Sequence, residues 1–183
     1  KLLKQTIKTK LNLEMASTEE MIRIAGETQP FMSTLVPERR EELTTEGGLD
    51  VAGQKEHLAW AVARLKEAGI LVSLFIDAEE EQIKAAREVG ADFVEIHTGH
   101  YADAETEAEA ERCLAKIFAA VKLARKEGLR VNLGHGLNYH NLSRFAGLEG
   151  VEDYSIGHAI ISRAVLVGLD RAVRDMAELI RML

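Results

Sequence analysis

Residues 70–97 read ILVSLFIDAEEEQIKAAREVGADFVEIH, and this stretch displays the organisation of the chain. An apolar run, Leu71–Ile76, is followed by a helical pattern and then by a second apolar run, Phe93–His97. A strand, a helix and a strand in this order form a unit in which a right-handed crossover makes the two strands parallel. The stretch therefore predicts an α/β protein with a parallel sheet.

The same alternation extends along the chain. The other predicted strands are Lys10–Met15, Met32–Val36, Arg130–Leu133 and Tyr154–Ile156. Successive strands lie on average about 29 residues apart, close to the repeat of an eight-fold βα barrel, and residues 37–54 and 98–109 are longer strand-to-helix insertions. We predict one domain over residues 1–183, with six of the eight units of such a barrel. An open doubly wound sheet is the structural alternative, but no glycine-rich phosphate loop follows the first strand.

Composition limits the classes of function. Of 183 residues, 46% are hydrophobic and 29% are charged, which is typical of a soluble globular domain. The formal net charge of −7 and the absence of basic runs argue against a nucleic-acid partner. The apolar runs are too short to span a membrane. The single cysteine, Cys113, excludes an internal disulfide, so we expect a cytoplasmic protein.

Polar residues end the predicted strands, where a βα barrel keeps its active site. Asn12 and Glu14 alternate with apolar neighbours in the first strand and should share its inner face. A carboxylate in the barrel mouth can act as a general base once partial burial raises its pKa. The alternative is a structural carboxylate that bonds a side chain of a neighbouring strand.

Two glycine-histidine segments are further candidates. Glycines on both sides of His135, at Gly134 and Gly136, permit close backbone approach and leave the imidazole available for proton transfer, although a structural histidine is the alternative. Gly157 and His158 lie between a strand and a helix, so the free N–H groups of the helix start would suit a phosphate. A tight βα turn without a ligand is the alternative there.

A metal centre is not expected. His97, His100 and His135, together with Glu95, could be drawn as a ligand set. Their spacing, however, matches no zinc motif, and no acidic cluster ends a strand. We therefore expect no metal.

Six segments together resemble a known family. They are NLEMA (12–16), TLVPE (34–38), VSLFIDA (72–78), EIHTG (95–99), GHGL (134–137) and IGHAII (156–161). In this order they are similar to pyridoxine 5′-phosphate synthases, over about residues 6–180. The resemblance implies a TIM barrel that condenses 1-deoxy-D-xylulose 5-phosphate with 3-amino-2-oxopropyl phosphate. The products would be pyridoxine 5′-phosphate, inorganic phosphate and water, and no cofactor or metal would be needed.

The resemblance also assigns roles to residues. It implies that Glu14 is the acid/base glutamate and that His135 is the proton donor. Thr44 would bind the deoxyxylulose phosphate, in a loop that closes over the site. Gly136, Gly157 and His158 would hold the aminooxopropyl phosphate.

Family members begin with two further βα units that carry another catalytic histidine and phosphate-binding arginines, and these motifs do not occur here. We therefore expect negligible synthase activity if the 183 residues act alone. The resemblance further implies a homo-oligomer, with octamers as the family's form. The alternatives are an inactive barrel remnant that binds phosphate as a scaffold module, and an aldolase or isomerase. The latter's nearest Schiff-base lysine, Lys10, begins a strand rather than ending one.

Overall fold

Six parallel strands pair in chain order and form one curved sheet. The structure, a computed structural model, describes residues 1–38, 42 and 47–183. The strands of these residues are β1 (Asn12–Met15), β2 (Met32–Leu35), β3 (Leu71–Ile76), β4 (Phe93–His97), β5 (Arg130–Gly134) and β6 (Val151–Ser155). A doubly wound sheet reverses its strand order part-way across. The strands here pair in sequential order, so the doubly wound alternative is wrong and the sheet fits part of a barrel.

Helices connect the strands. They are α1 (Leu2–Thr6), α2 (Glu19–Thr28), α3 (Lys55–Glu67), α4 (Glu80–Glu88), α5 (Gly99–Ala102), α6 (Glu107–Lys126), α7 (His158–Val167) and α8 (Leu169–Arg181), with a 3₁₀ turn at Leu142–Phe145. The hydroxyl of Thr18 accepts a hydrogen bond from the Met21 N–H and caps α2. Within the described part of the chain, no helix has both the length and the apolar character needed to cross a membrane.

The core lies between the outer face of the sheet and the helices. Alternate residues of β3, Val72, Leu74 and Ile76, are fully buried there. Helix α3 contributes apolar residues three and four positions apart, which places them on one side of the helix: Leu58, Ala61, Val62 and Leu65. The concave face is more polar, because the other residues of the strands point to it. Packing of the helices against the outer face therefore holds the strands in position, and with them the polar side chains at the strand ends.

The last strand differs from its predicted bounds. We predicted Tyr154–Ile156, whereas β6 runs from Val151 to Ser155. After Val151, Glu152 and Asp153 are charged and exposed in this edge strand, so the start of the strand lacks the apolar run on which the prediction depended. The pairing of β5 with β6 also shifts register between Val131 and Asn132.

Candidate active site

A cavity of about 990 Å³ opens at the carboxyl ends of the strands. Its described lining includes five of the site residues predicted from the sequence, which are Glu14, His135, Gly136, Gly157 and His158. The lining also contains Glu95. These residues come from β1, β4, the turn after β5 and the start of α7, so the parallel sheet brings together positions far apart in the chain. This is the end of the sheet where βα barrels carry out their chemistry.

Glu14 lies on the concave face near the end of β1. Its neighbour on that face, Asn12, accepts a hydrogen bond of 3.0 Å from the hydroxyl of Thr34 in β2. The alternation that we predicted for β1 is thus present, since Met15 on the other face is buried. Glu14 itself is exposed, so the structure does not provide the burial that we expected around this carboxylate.

The buried carboxylate is instead Glu95, which is only 4% exposed. Burial raises the pKa of the Glu95 carboxyl to about 7; a hydrogen bond from the Ser155 hydroxyl (2.9 Å) opposes the rise, and the nearby charge of Glu14 adds to it. At neutral pH Glu95 can therefore accept or donate a proton. Two carboxyl groups with different surroundings face the same cavity.

His135 has a left-handed backbone, with φ of +75°, which is unusual for a residue other than glycine. Thr98 holds the turn, because its hydroxyl lies 2.8 Å from the Gly134 carbonyl and 2.5 Å from that of His135. A Cβ at Gly134 would come within 2.1 Å of a Glu95 oxygen, and one at Gly136 within 2.4 Å of the Ala102 side chain. Both glycines are thus required by close packing, and the strained turn directs the imidazole to the cavity.

The start of α7, which follows the neighbouring strand β6, also lines the cavity. Gly157 is its N-cap, and the helix begins at His158 without an acidic residue in its first turn. The first N–H groups of a helix have no acceptor within it, and they carry the positive end of the helix dipole. The arrangement suits an anionic group such as a phosphate ester. Within the described lining, arginine and lysine are absent.

A second polar cluster lies beside the cavity. Asp77, His97 and His100 each offer one ligand atom, and these atoms lie within 4.8 Å of one another. This trio, rather than the set that includes Glu95 and His135, is the group of described residues that could hold a metal ion. Within it, His97 Nδ1 and Asp77 Oδ1 are 3.0 Å apart, which is a hydrogen-bond distance.

Some predicted residues lie elsewhere. Thr44 falls outside the described residues. Lys10, the lysine considered for an aldolase, precedes β1 and lies over the ring of Phe31, 4.8 Å from its centre, rather than lining the cavity. From the sequence, Glu95 was considered only as a member of a possible metal-ligand set, and no catalytic role was predicted for it. Its position between Val94 and Ile96 in a buried strand was the signal that it points inward.

A family model and close relatives match nearly the whole chain. The family model described as pyridoxal phosphate biosynthesis protein PdxJ matches residues 1–182. A pyridoxine 5′-phosphate synthase of Pelobacter propionicus is 58% identical over 180 residues, covering 98% of this chain and 75% of the relative. One of Geotalea uraniireducens is 59% identical over 181 residues, covering 99% and 76%.

Solved structures with a similar fold are more distant in sequence. The 3-keto-L-gulonate-6-phosphate decarboxylase of Vibrio cholerae aligns with a TM-score of 0.62 at 16% identity, over 100% of this chain and 77% of that one. A 3-hexulose-6-phosphate synthase aligns with a TM-score of 0.64 at 18% identity, over 97% and 77%. These likenesses concern the fold alone. The match of the family model and of the close relatives over nearly the whole chain shows that this chain belongs to the PdxJ family of pyridoxal phosphate biosynthesis proteins.

Proposed function

We propose that the chain is a pyridoxine 5′-phosphate synthase. It condenses 1-deoxy-D-xylulose 5-phosphate with 3-amino-2-oxopropyl phosphate to give pyridoxine 5′-phosphate, inorganic phosphate and water. The names of its close relatives support this reaction. The observation that carries it is one cavity lined by two carboxyl groups, two histidines and a helix N-terminus.

Glu14 moves protons between the condensing carbon and nitrogen atoms. Imine formation and ring aromatisation both need a group that removes a proton at one step and returns it at another. The carboxylate of Glu14 is accessible from the cavity, where it can reach a bound substrate. Glu95, with a pKa of about 7, can serve beside it as a neutral acid or as an anion that stabilises positive charge on an imine.

His135 donates the proton that leaves with phosphate or water. The oxygen of either leaving group gains negative charge as its bond to carbon breaks, and a positioned acid lowers the energy of that step. The turn at Gly134–Gly136 holds the imidazole at the cavity wall. Gly136, Gly157 and His158 bind the aminooxopropyl phosphate, and the first turn of α7 neutralises part of its charge. Thr44 binds the deoxyxylulose phosphate.

We further propose that the six strands are part of one eight-strand barrel, closed by two further βα units between β6 and β1. Three features support closure: both edges of the described sheet lack a neighbouring strand, the concave face exposes Glu14, and α7 exposes large apolar residues. Among the latter, Val165 is 82% and Leu166 86% exposed. Surfaces of this kind are normally covered.

The function is tested by phosphate release in a chimera, in which the chain follows the first two βα units of the Geotalea relative. Release should require both substrates. Glu14→Gln and His135→Asn should each lower kcat by about 10²- to 10⁴-fold, the usual contribution of a positioned proton-transfer group. His140→Asn is the matched control, because His140 does not line the cavity. Release that persists in Glu14→Gln and His135→Asn would contradict the assigned roles.

A further inference from the structure

A buried hydrogen-bonded pair connects the loop before α3 with the wall of the cavity. The carboxylate of Asp77, at the end of β3, is 2% exposed, and the imidazole of His97, at the end of β4, is 10% exposed. Asp77 Oδ1 lies 3.0 Å from His97 Nδ1, while Asp77 Oδ2 accepts the N–H of Gly48 at 3.0 Å. One carboxylate therefore contacts both the loop and the histidine.

His97 in turn packs directly against His135. Their ring centres are 5.0 Å apart and the rings are inclined by 70°, so one ring edge faces the other ring. Phe75 lies on another side of His97 at 5.0 Å, and His100 at 5.7 Å. Because these neighbours and Asp77 leave His97 little freedom, its orientation fixes the surface on which His135 rests.

The backbone around this pair has no spare room. A Cβ at Gly99 would lie 2.4 Å from His97 Nε2 and 3.1 Å from His135 Cδ2. A Cβ at Gly48 would lie 2.5 Å from the backbone nitrogen of Asp77. The backbone at Gly48 therefore lies directly against Asp77, whose carboxylate is within hydrogen-bond distance of His97.

We infer that Asp77 and His97 are positioning residues that couple the base of the loop at Gly48 to the orientation of His135. The inference rests on the proposed function for the role of His135 as a proton donor. His97 carries its proton on Nδ1 and donates it to the Asp77 carboxylate, which leaves Nε2 on the side of His135 and Gly99. The same carboxylate thus links the backbone at Gly48 to the ring against which His135 packs.

The hydrogen-bond pair is tested by NMR of the 183-residue chain, without substrates. Long-range ¹H–¹⁵N spectra should show His97 as the Nδ1–H tautomer. Asp77→Asn should abolish the protection of the Gly48 amide against hydrogen exchange and should move the Cε1–H resonance of His135. A His97 in the Nε2–H tautomer, or a His135 resonance unchanged in Asp77→Asn, would overturn the inference.

Gln82→Ala is the matched control. Gln82 is also buried, and its side-chain oxygen accepts the N–H groups of Val51 (2.8 Å) and Ala52 (3.2 Å) in the same loop. It lies outside the contact between Asp77 and His97, so Gln82→Ala should loosen the loop without moving the His135 resonance. An equal movement in Gln82→Ala would mean that general loosening, rather than the pair, sets His135, and would overturn the inference.

A metal site is the competing explanation for this cluster. One equivalent of Zn²⁺ added to the apo chain should leave the Nδ1 signal of His97 in place. A zinc-dependent loss of that signal, reversed by a chelator, would identify the cluster as a metal site instead and overturn the inference.

Turnover gives a second readout. In the phosphate-release assay, His97→Ala should lower kcat by about 10- to 100-fold with less than a threefold change in KM. His97→Asn places an amide N–H near the position of Nδ1 and should recover part of the loss. Equal losses in the two variants would contradict positioning through Asp77. If the unsubstituted chimera releases no phosphate, the proposed function fails, whereas the NMR result still decides whether the pair orients His135.

Discussion

At the scale of single residues, the buried carboxyl of Glu95 makes stability depend on pH. Its pKa rises from 4.5 to about 7 because burial penalises the charged form, so the folded protein binds this proton more tightly than the unfolded chain does. Below about pH 4.5 the group is neutral in both states. Between about pH 4.5 and pH 7 it ionises in the unfolded chain but stays protonated in the folded protein, so the free energy of unfolding falls by about 3 kcal/mol across this window and levels off above it.

Glu95→Gln should remove this dependence, because glutamine keeps the shape of the side chain and has no charge to bury. Denaturant unfolding at pH 5 and at pH 8 measures the effect. We expect the variant to gain about 2 to 3 kcal/mol relative to the wild type between these two pH values, because part of the loss in the wild type has already occurred at pH 5. Parallel losses of stability in both proteins from pH 5 to pH 8 would show that Glu95 is not the group responsible.

At the scale of elements, the first turn of α7 is the proposed phosphate site. Ala159→Asp places a carboxylate in that turn, where it would compete with the phosphate for the same N–H groups. We expect the KM for 3-amino-2-oxopropyl phosphate to rise at least tenfold. Ser162→Asp adds the same charge at an exposed position further along the helix and should change this KM less than threefold. Equal effects of the two substitutions would argue against a phosphate at the helix start.

The sequence pattern predicted the central strands of the sheet more accurately than its edge strand β6. The central strands Leu71–Ile76 and Phe93–His97 have their predicted bounds, since most of their residues are buried on both faces and such strands read as nearly continuous apolar runs. The start of β6 was missed because an edge strand has less to bury. Among the predicted site residues, Glu14 and His135 both line the cavity. We expected burial at Glu14, but Glu14 is exposed and Glu95 is the buried carboxyl. This difference depends on how far each side chain lies from a sheet edge, and the local sequence pattern does not contain that information.

At the scale of the whole molecule, the proposed closure of the barrel would enclose the cavity at the carboxyl ends of the strands. The close relatives are longer than this chain, which covers 75% of one and 76% of another. The resemblance implies that the further units carry cationic groups for phosphate, and the chain itself has a net charge of −7. Closure would therefore cover the exposed face of α7 and would also add positive charge to the cavity.

The most direct test of the central claim is phosphate release from the two substrates, measured side by side for the 183-residue chain and for the chimera with two added βα units. We predict release by the chimera that depends on both substrates, and negligible release by the chain alone. A chimera that is folded, as judged by circular dichroism and cooperative unfolding, yet releases no phosphate would contradict the proposed function. Equal release by the chain alone would contradict the claim that the site needs an eight-strand barrel.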